Sequence, residues 1–424
     1  MSRLWGLVFL AFAGIAHAAD IAGTWSGLWT KNGDDLSVTV TLNSSGDGYT
    51  GSFDSDGLQV AGIPFQKITA AKHKVHFVLS GDESVTTFDG TLTGNRIDGS
   101  FVDGNTKGKF HLVRVPAPAR AVRSRDVTFV DGDVTLAGTL IAPDSGGPYP
   151  AIMFLHGSGG EGRWANRYLA ERFASAGFAA LITDKRGVGQ STGDWHTAGF
   201  EDLADDAAAG IRFLRAQPEI VAGKIGIYGH SQGGTLAPLA AIRAGQIAFV
   251  IGSAAGGIDP AEMEEYSLGN SLGVSTLPPA EAADAKLFAH AIVGFGYRGV
   301  PREELDRVAA GFKGRAWYFD PPPPQASYWS FSRRIAAYQP ADQWRQVKAP
   351  VLLLFGERDE RVPPVQSSSA IVTALHAGGN DDVTLRMYPG ADHTFTLATR
   401  DGGWPKHVPG YADALIAWAR SKTK

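Results

Sequence analysis

Lys224-Ile225-Gly226-Ile227-Tyr228-Gly229-His230-Ser231-Gln232-Gly233-Gly234 is the stretch on which the reading of this chain turns. Ile225 to Tyr228 has the apolar character of a short buried strand. From Gly233 on, Thr235, Leu236, Ala237, Leu239, Ala240 and Ala241 supply the apolar stripe of a helix. The Gly229-x-Ser231-x-Gly233 spacing leaves about one residue in which to reverse from strand to helix. Side chains at the flanks of so tight a turn would collide, which accounts for Gly229 and Gly233. Ser231 is then held in strained backbone geometry, with its hydroxyl above the sheet and a helix N-terminus aimed at it.

A serine hydroxyl is a poor nucleophile at neutral pH. It needs a general base within hydrogen-bond reach, a third group to fix the base's tautomer, and donors for the oxyanion. An elbow of this kind therefore predicts an acid after one later strand and a histidine after another. The apolar run Val351 to Phe355 leads into Gly356-Glu357-Arg358-Asp359-Glu360, where Asp359 is the favoured acid and Glu357 and Glu360 are its rivals. The run Val383 to Met387 leads into Tyr388-Pro389-Gly390-Ala391-Asp392-His393, which makes His393 the candidate base and Asp392 an orienting residue of its loop.

Oxyanion donors are expected from the N–H of Gln232 and from the loop His156-Gly157-Ser158-Gly159-Gly160, with the Ser158 N–H as second donor. Gly157 lets that backbone approach an anion, and His156 is expected to pack beneath the loop. Gly157-x-Gly159-x-x-Gly162 with Asp184 on the next strand also fits the dinucleotide-binding fingerprint. That reading leaves Ser231, Asp359 and His393 unexplained, so no dinucleotide, metal or other cofactor is expected.

Around these loops, short apolar runs alternate with helical stretches: Ala151–Leu155, a helix from about 166 to 176, Ala179–Thr183, a helix from about 203 to 216, and Phe249–Gly252. A closing helix is expected over about 411–420. Runs apolar on both faces and separated by helices describe a mostly parallel, doubly wound α/β sheet. An antiparallel hairpin, Asp126–Val130 and Val134–Ile141, precedes it. The spacing breaks once. Residues 256–347 read as a helical insertion, with helices near 280–293 and 302–310, placed where a lid would sit. Its aromatics, from Trp317 to Phe331, are expected to line an apolar acyl pocket.

Residues 19–115 alternate at period two, as in Leu36 to Leu42 (LSVTVTL), with frequent Gly, Asn and Asp between the runs. This is the pattern of an antiparallel meander forming a small barrel or sandwich, with Trp25, Trp29, Phe53, Phe88 and Phe101 in its core. Residues 116–125 read as a linker and 126–424 as the α/β domain. Residues 1–18 have the composition of a signal peptide: Arg3, an apolar run from Leu4 to Ala16, then Ala16-His17-Ala18 for cleavage after Ala18. The expectation is a secreted, most simply periplasmic, protein without stable membrane insertion.

The chain has 424 residues, a net charge of −4, 19% charged residues and no cysteine. Its negative balance and lack of basic runs exclude nucleic acid as an expected partner. Without cysteine there is no disulfide framework, thiolate metal site or thiol nucleophile. Oligomeric state is left open.

Together, the loops 156–160, 184–193, 229–234, 356–359 and 390–393 resemble the α/β-hydrolase superfamily. Within it, the chain resembles bacterial serine carboxylesterases that carry an extra N-terminal β domain. The resemblance implies Ser231 as nucleophile, His393 as base then acid, and Asp359 as the orienting acid, acting on a small-molecule ester. The elbow is also similar to that of prolyl-oligopeptidase-like peptidases, although the β-propeller of those enzymes is far longer than the β domain here. Peptidase, thioesterase and acyltransferase chemistry remain alternatives on the same triad. A ligand-binding β domain on an inert scaffold is the rival outside enzymology.

Overall fold

The computed structural model describes residues 20–46, 48–80, 85–117, 122–399 and 403–424. The expected signal peptide and residues 118–121 of the expected linker lie outside them, and residues 122–125 of that linker are instead the start of a strand. Among the described residues the chain divides into two units, one comprising 20–56, 62–117 and 403–404, the other 57–61, 122–399 and 405–424.

Nine strands make the first sheet: β1 (Gly23–Lys31), β2 (Asp34–Ser45), β3 (Gly48–Ser55), β4 (Val60–Pro64), β5 (Lys67–Ala71), β6 (Lys74–Ser80), β7 (Val85–Thr93), β8 (Arg96–Asp103) and β9 (Thr106–Val115). Their order is β4-β3-β2-β1-β9-β8-β7-β6-β5, so the first and last strands pair in the middle. The corner between β4 and β5 bonds both ways: Phe65 N–H donates to Gly51 O (2.9 Å) and Gln66 N–H to Val78 O (2.8 Å). This rolls the sheet towards a barrel. The period-two pattern does what a pleated strand requires, burying Leu36, Val38, Val40 and Leu42 while Asp35 and Ser37 face solvent. Trp29 packs at 4.9 Å from Phe53 and 4.6 Å from Phe88, and Trp25, Phe53, Phe88 and Phe101 are all buried. Trp404, far away in sequence, joins this core and donates Nε1–H to Trp29 O (3.1 Å).

The second sheet contains β10 (Val122–Asp131), β11 (Val134–Pro143), β12 (Tyr149–Leu155), β13 (Ala179–Thr183), β14 (Ile220–His230), β15 (Phe249–Ser253), β16 (Val351–Gly356) and β17 (Val383–Tyr388). Its order is β10-β11-β13-β12-β14-β15-β16-β17, parallel from β13 onward after the antiparallel β10 and β11. β13, β15 and β16 are buried along their whole length, because helices cover both faces. α1 (Arg167–Ser175) and α10 (Tyr411–Ser421) pack on the face carrying Ile152, Phe154 and Ile182. α2 (Phe200–Arg215), α3 (Gln232–Ala244) and α9 (Pro364–Ala377) cover the face carrying Ala151, Met153 and Leu155. Each fully buried Leu, Ile or Phe here contributes about 1.5–3 kcal/mol. α2 starts three residues earlier than its apolar pattern suggests, because the Asp202 carboxylate accepts the Gly199 N–H (2.7 Å) and caps the extra turn.

Between β15 and β16 the insertion contains α4 (Pro260–Ser271), α5 (Pro279–Tyr297), α6 (Arg302–Ala310), α7 (Ser327–Ile335) and α8 (Pro340–Trp344). Two of these five helices were expected. α4 begins where Asp259 accepts from Ala261 N–H (2.8 Å) and Glu262 N–H (3.2 Å), with Pro260 in its first turn. The expected use of the aromatics is corrected. Tyr318 packs 5.3 Å from Phe288, and Trp329 packs 4.7 Å from Phe295, in a core belonging to the insertion itself. The helices of the insertion need their own apolar centre, and these rings form it rather than an acyl pocket, while Phe331 packs 6.1 Å from Phe200 on the core of the sheet.

β18 (Thr396–Leu397) and β19 (Lys406–His407) form a small antiparallel pair beyond β17.

Candidate active site

Ser231 lies between the end of β14 and the start of α3, with φ 54° and ψ −121°. Positive φ at a residue with a side chain costs of order 1–3 kcal/mol and is held only by the surrounding structure. Here Ser231 N–H donates to Ser253 O (2.8 Å) and Ser231 O accepts from Thr235 N–H (3.0 Å), and the flanking glycines let the chain pass so tightly. A Cβ on Gly229 would sit 2.1 Å from Gly233 O, and one on Gly233 would sit 2.7 Å from His156 O. Neither position has room for a side chain.

The three residues expected to act together are brought into one hydrogen-bonded line. His393 Nε2 is 2.9 Å from Ser231 Oγ, and His393 Nδ1 is 2.9 and 2.8 Å from Asp359 Oδ1 and Oδ2. With Nδ1–H donated to the carboxylate, the Nε2 lone pair faces the serine hydroxyl. Asp359 is 1% exposed, and its Oδ1 also accepts from Arg361 N–H and Val362 N–H, both at 2.8 Å. The turn after β16 thus supplies a buried carboxylate with amides already arranged around it. Of its rivals, Glu357 accepts Gly390 N–H (2.8 Å) and so braces the histidine loop. Asp392 shapes that loop by accepting from Thr394 N–H (2.9 Å) and Thr396 N–H (2.8 Å). Burial raises the Asp392 carboxyl, but the hydrogen bonds from Thr396 and Thr394 outweigh it and keep the group below the usual carboxylate range.

His230, beside the serine, has its ring 5.0 Å from that of His393. Burial, reinforced by the neighbouring His393, pushes it down to about 3, so it is a neutral wall of the site. His156 packs beneath the glycine loop, donating Nε2–H to Thr183 O (2.6 Å), and burial brings it down to about 4.

Of the expected oxyanion donors, Gln232 is the first residue of α3, where its N–H has no carbonyl one turn earlier to bond. Ser158 is exposed in the loop after β12. Gly157 N–H donates to Glu161 Oε2 (2.7 Å), so a carboxylate already occupies the loop amide that a dinucleotide phosphate would need. Asp184, the acid of that fingerprint, is bound by Arg163 through its N–H (2.9 Å) and Nη2 (2.7 Å). The fingerprint here is a structural loop.

Three neighbours escaped the sequence reading. Lys185 Nζ donates to Gly157 O and Gly159 O, both 2.6 Å away, and lies 3.3 Å from Gln232 Oε1. Its signal was a lysine directly after Asp184, at the end of a strand of mostly apolar residues. Tyr266 OH donates to Asp359 O (2.7 Å), and Asn270 Nδ2 donates to Glu360 O (2.9 Å). They stand four apart, on one face of α4. Nothing in the sequence links α4 to the acid's turn.

Residues 131–393 match the X-Pro dipeptidyl-peptidase (S15 family) description. Among curated relatives, the uncharacterized peptidase YtmA of Bacillus subtilis is 27% identical over 249 residues, covering 59% of this chain and 78% of its own. Esterase EstD of Thermotoga maritima is 22% identical over 349 residues, covering 80% of this chain and 76% of its own. The Pyrococcus furiosus esterase Pf2001 superposes with a TM-score of 0.46 at 18% identity, covering 73% of this chain and 97% of the other. The family match spans more than half the chain, including the elbow and both later loops, and the chain therefore belongs to the X-Pro dipeptidyl-peptidase (S15) family, as a serine hydrolase of the α/β-hydrolase type.

Proposed function

We propose that this protein hydrolyses carboxylic esters of small molecules through an acyl-serine intermediate. The observation that carries the reading is the unbroken line Ser231 Oγ, His393 Nε2, His393 Nδ1, Asp359, with each contact between 2.8 and 2.9 Å. In this reading Ser231 Oγ bonds to the ester carbonyl carbon while its proton passes to His393 Nε2. Asp359 keeps Nδ1 protonated and stabilises the imidazolium. The N–H groups of Ser158 and Gln232 bind the oxyanion. Collapse breaks the bond to the alcohol oxygen, which takes the proton from Nε2. A water then repeats the sequence, releases the acid and restores Ser231.

Ester over peptide is favoured by EstD, a relative named as an esterase. Its alignment covers 80% of this chain and so reaches back into the β unit, whereas that with the peptidase YtmA covers 59%. Peptide cleavage is the second reading, supported by the family's name. Secretion to the periplasm is part of the proposal and rests on the composition of residues 1–18.

The test is turnover of p-nitrophenyl acetate, butyrate and palmitate, with Ser231→Ala in parallel. Short-chain turnover that vanishes in the variant supports the esterase. A folded protein that ignores all three esters but cleaves X-Pro p-nitroanilides overturns it in favour of the peptidase.

A further inference from the structure

The candidate oxyanion loop is built mostly of glycine, and glycine loses the most conformational freedom when a loop is held in one shape. Gly159 sits at φ +81°. Something outside the loop must fix it, and the structure contains such a clamp. Lys185 is 3% exposed, and its ammonium donates to the carbonyl oxygens of Gly157 and Gly159 at 2.6 Å each.

Those two carbonyls are not arbitrary acceptors. The Gly157 C=O and the Ser158 N–H belong to one peptide group, and in a trans planar peptide they point in opposite directions. The only cis bond among the described residues is Gly147-Pro148. Holding the Gly157 oxygen therefore aims the Ser158 N–H the other way, and holding the Gly159 oxygen aims the Gly160 N–H likewise. The third contact, Gln232 Oε1 at 3.3 Å, joins the same ammonium to the residue whose N–H is the other candidate donor. A single cation ties the glycine loop to the elbow.

We infer that Lys185 is a positioning residue of the oxyanion site, orienting the Ser158 amide through the Gly157 carbonyl and placing a fixed positive charge behind the developing oxyanion. This rests on the reading of Ser158 and Gln232 as oxyanion donors. A neutral side chain would hold a loop at less cost in desolvation, whereas a charged donor makes stronger hydrogen bonds and strengthens the field at the site. Burial brings the ammonium down to about 8, against the opposing pull of Glu161. The groups around it are Glu161, which accepts Gly157 N–H; neutral His156; Asp184, bound by Arg163; Asp206, paired with Arg186; and the Trp195 ring at 5.7 Å.

The experiment compares the wild-type protein with Lys185→Met and Lys185→Cys. The chain has no other cysteine, so Lys185→Cys can be alkylated with 2-bromoethylamine to restore an ammonium at nearly the same reach. Each form is assayed for kcat and KM on p-nitrophenyl butyrate and for the rate at which Ser231 is labelled by a fluorophosphonate. Expected are a fall in kcat of about 30-fold, short of the roughly 10²–10³ lost with a whole donor, and KM within about twofold. Labelling should slow in parallel, activity should return on alkylation, and a wild-type decline in kcat above pH about 8 should be missing from Lys185→Met. Unchanged kcat and labelling in Lys185→Met overturn the inference, as does a loss confined to KM and thermal stability. If the wild type turns over no ester but labels at Ser231, the ester reading fails alone and the labelling rates still decide the role of Lys185. A wild type that does not label removes the oxyanion site and the inference with it.

Discussion

His156→Gln tests whether the floor of the glycine loop is a neutral histidine. The ring donates Nε2–H to Thr183 O at 2.6 Å, and a glutamine amide can make the same bond without titrating. Burial, followed by the nearby Lys185 charge, lowers the His156 pKa from 6.5 to about 4, against the Thr183 hydrogen bond and Asp184. Above pH 6.5 the ring is neutral folded or unfolded, and the shift has no effect on stability. Between 6.5 and about 4 only the unfolded chain takes up the proton, so stability falls as the pH falls. One site gives about 1.4 kcal/mol per pH unit, or about 3 kcal/mol across the window, a ceiling because the ring keeps some exposure. Urea unfolding of both proteins at pH 7, 6, 5 and 4.5 measures it. At pH 7 the variant should be equal or weaker, and acidification should shift the difference in the variant's favour by up to about 3 kcal/mol. A gap independent of pH refutes the reasoning, since it means the folded protein protonates His156 as readily as the unfolded chain. His230, at about 3, adds a slope of the same sign, so some acid sensitivity persists in the single variant.

Lys185 gives a slope of the same sign, stability rising with pH, but in the alkaline range. Its folded pKa is about 8 rather than 10.5, so the unfolded chain holds the proton longer, and wild type should gain up to about 3 kcal/mol on Lys185→Met between pH 8 and 10.5 while its turnover declines; denaturant titrations showing a constant difference would count against this. Asp359→Asn keeps an acceptor for the Arg361 and Val362 amides but turns a donor towards His393 Nδ1, and kcat on a short ester should drop about 10⁴-fold with folding retained. Tyr266→Phe removes the hydroxyl from Asp359 O, and steady-state kinetics should show kcat lower by several-fold, about 1 kcal/mol, with KM steady. Gly229→Ala drives a Cβ to 2.1 Å from Gly233 O, so the elbow must open, and thermal melting should report a loss of at least about 3 kcal/mol along with inactivity.

Local chemistry made much of this protein readable in one dimension. Gly229 is required by contacts with Gly233 and Gly234, within six residues of chain, so that half of the elbow is legible locally, whereas Gly233 is required by the carbonyls of Leu155 and His156 at the end of a neighbouring strand. Strands buried on both faces need continuous apolar runs, so β13, β15 and β16 announce themselves. Once the elbow is present, its chemistry requires an acid and a histidine after later strands, and Asp359 and His393 stand there.

Only tertiary structure settled the rest, because those choices depend on partners distant along the chain. The aromatics of the insertion were legible as apolar, but whether they face a pocket or one another depends on how five helices meet, and all but Phe331, which packs on Phe200, face one another. Trp404 belongs to the core of a sheet that begins with Gly23, a pairing no periodicity records. Tyr266 reaches Asp359 across 93 residues, and Lys185 meets Gln232 across 47. A lone tyrosine or lysine carries no spacing rule that points to its acceptor. Composition and local sterics therefore determined the frame and the identities of the reacting side chains, while the groups that hold and orient them were decided by long-range packing.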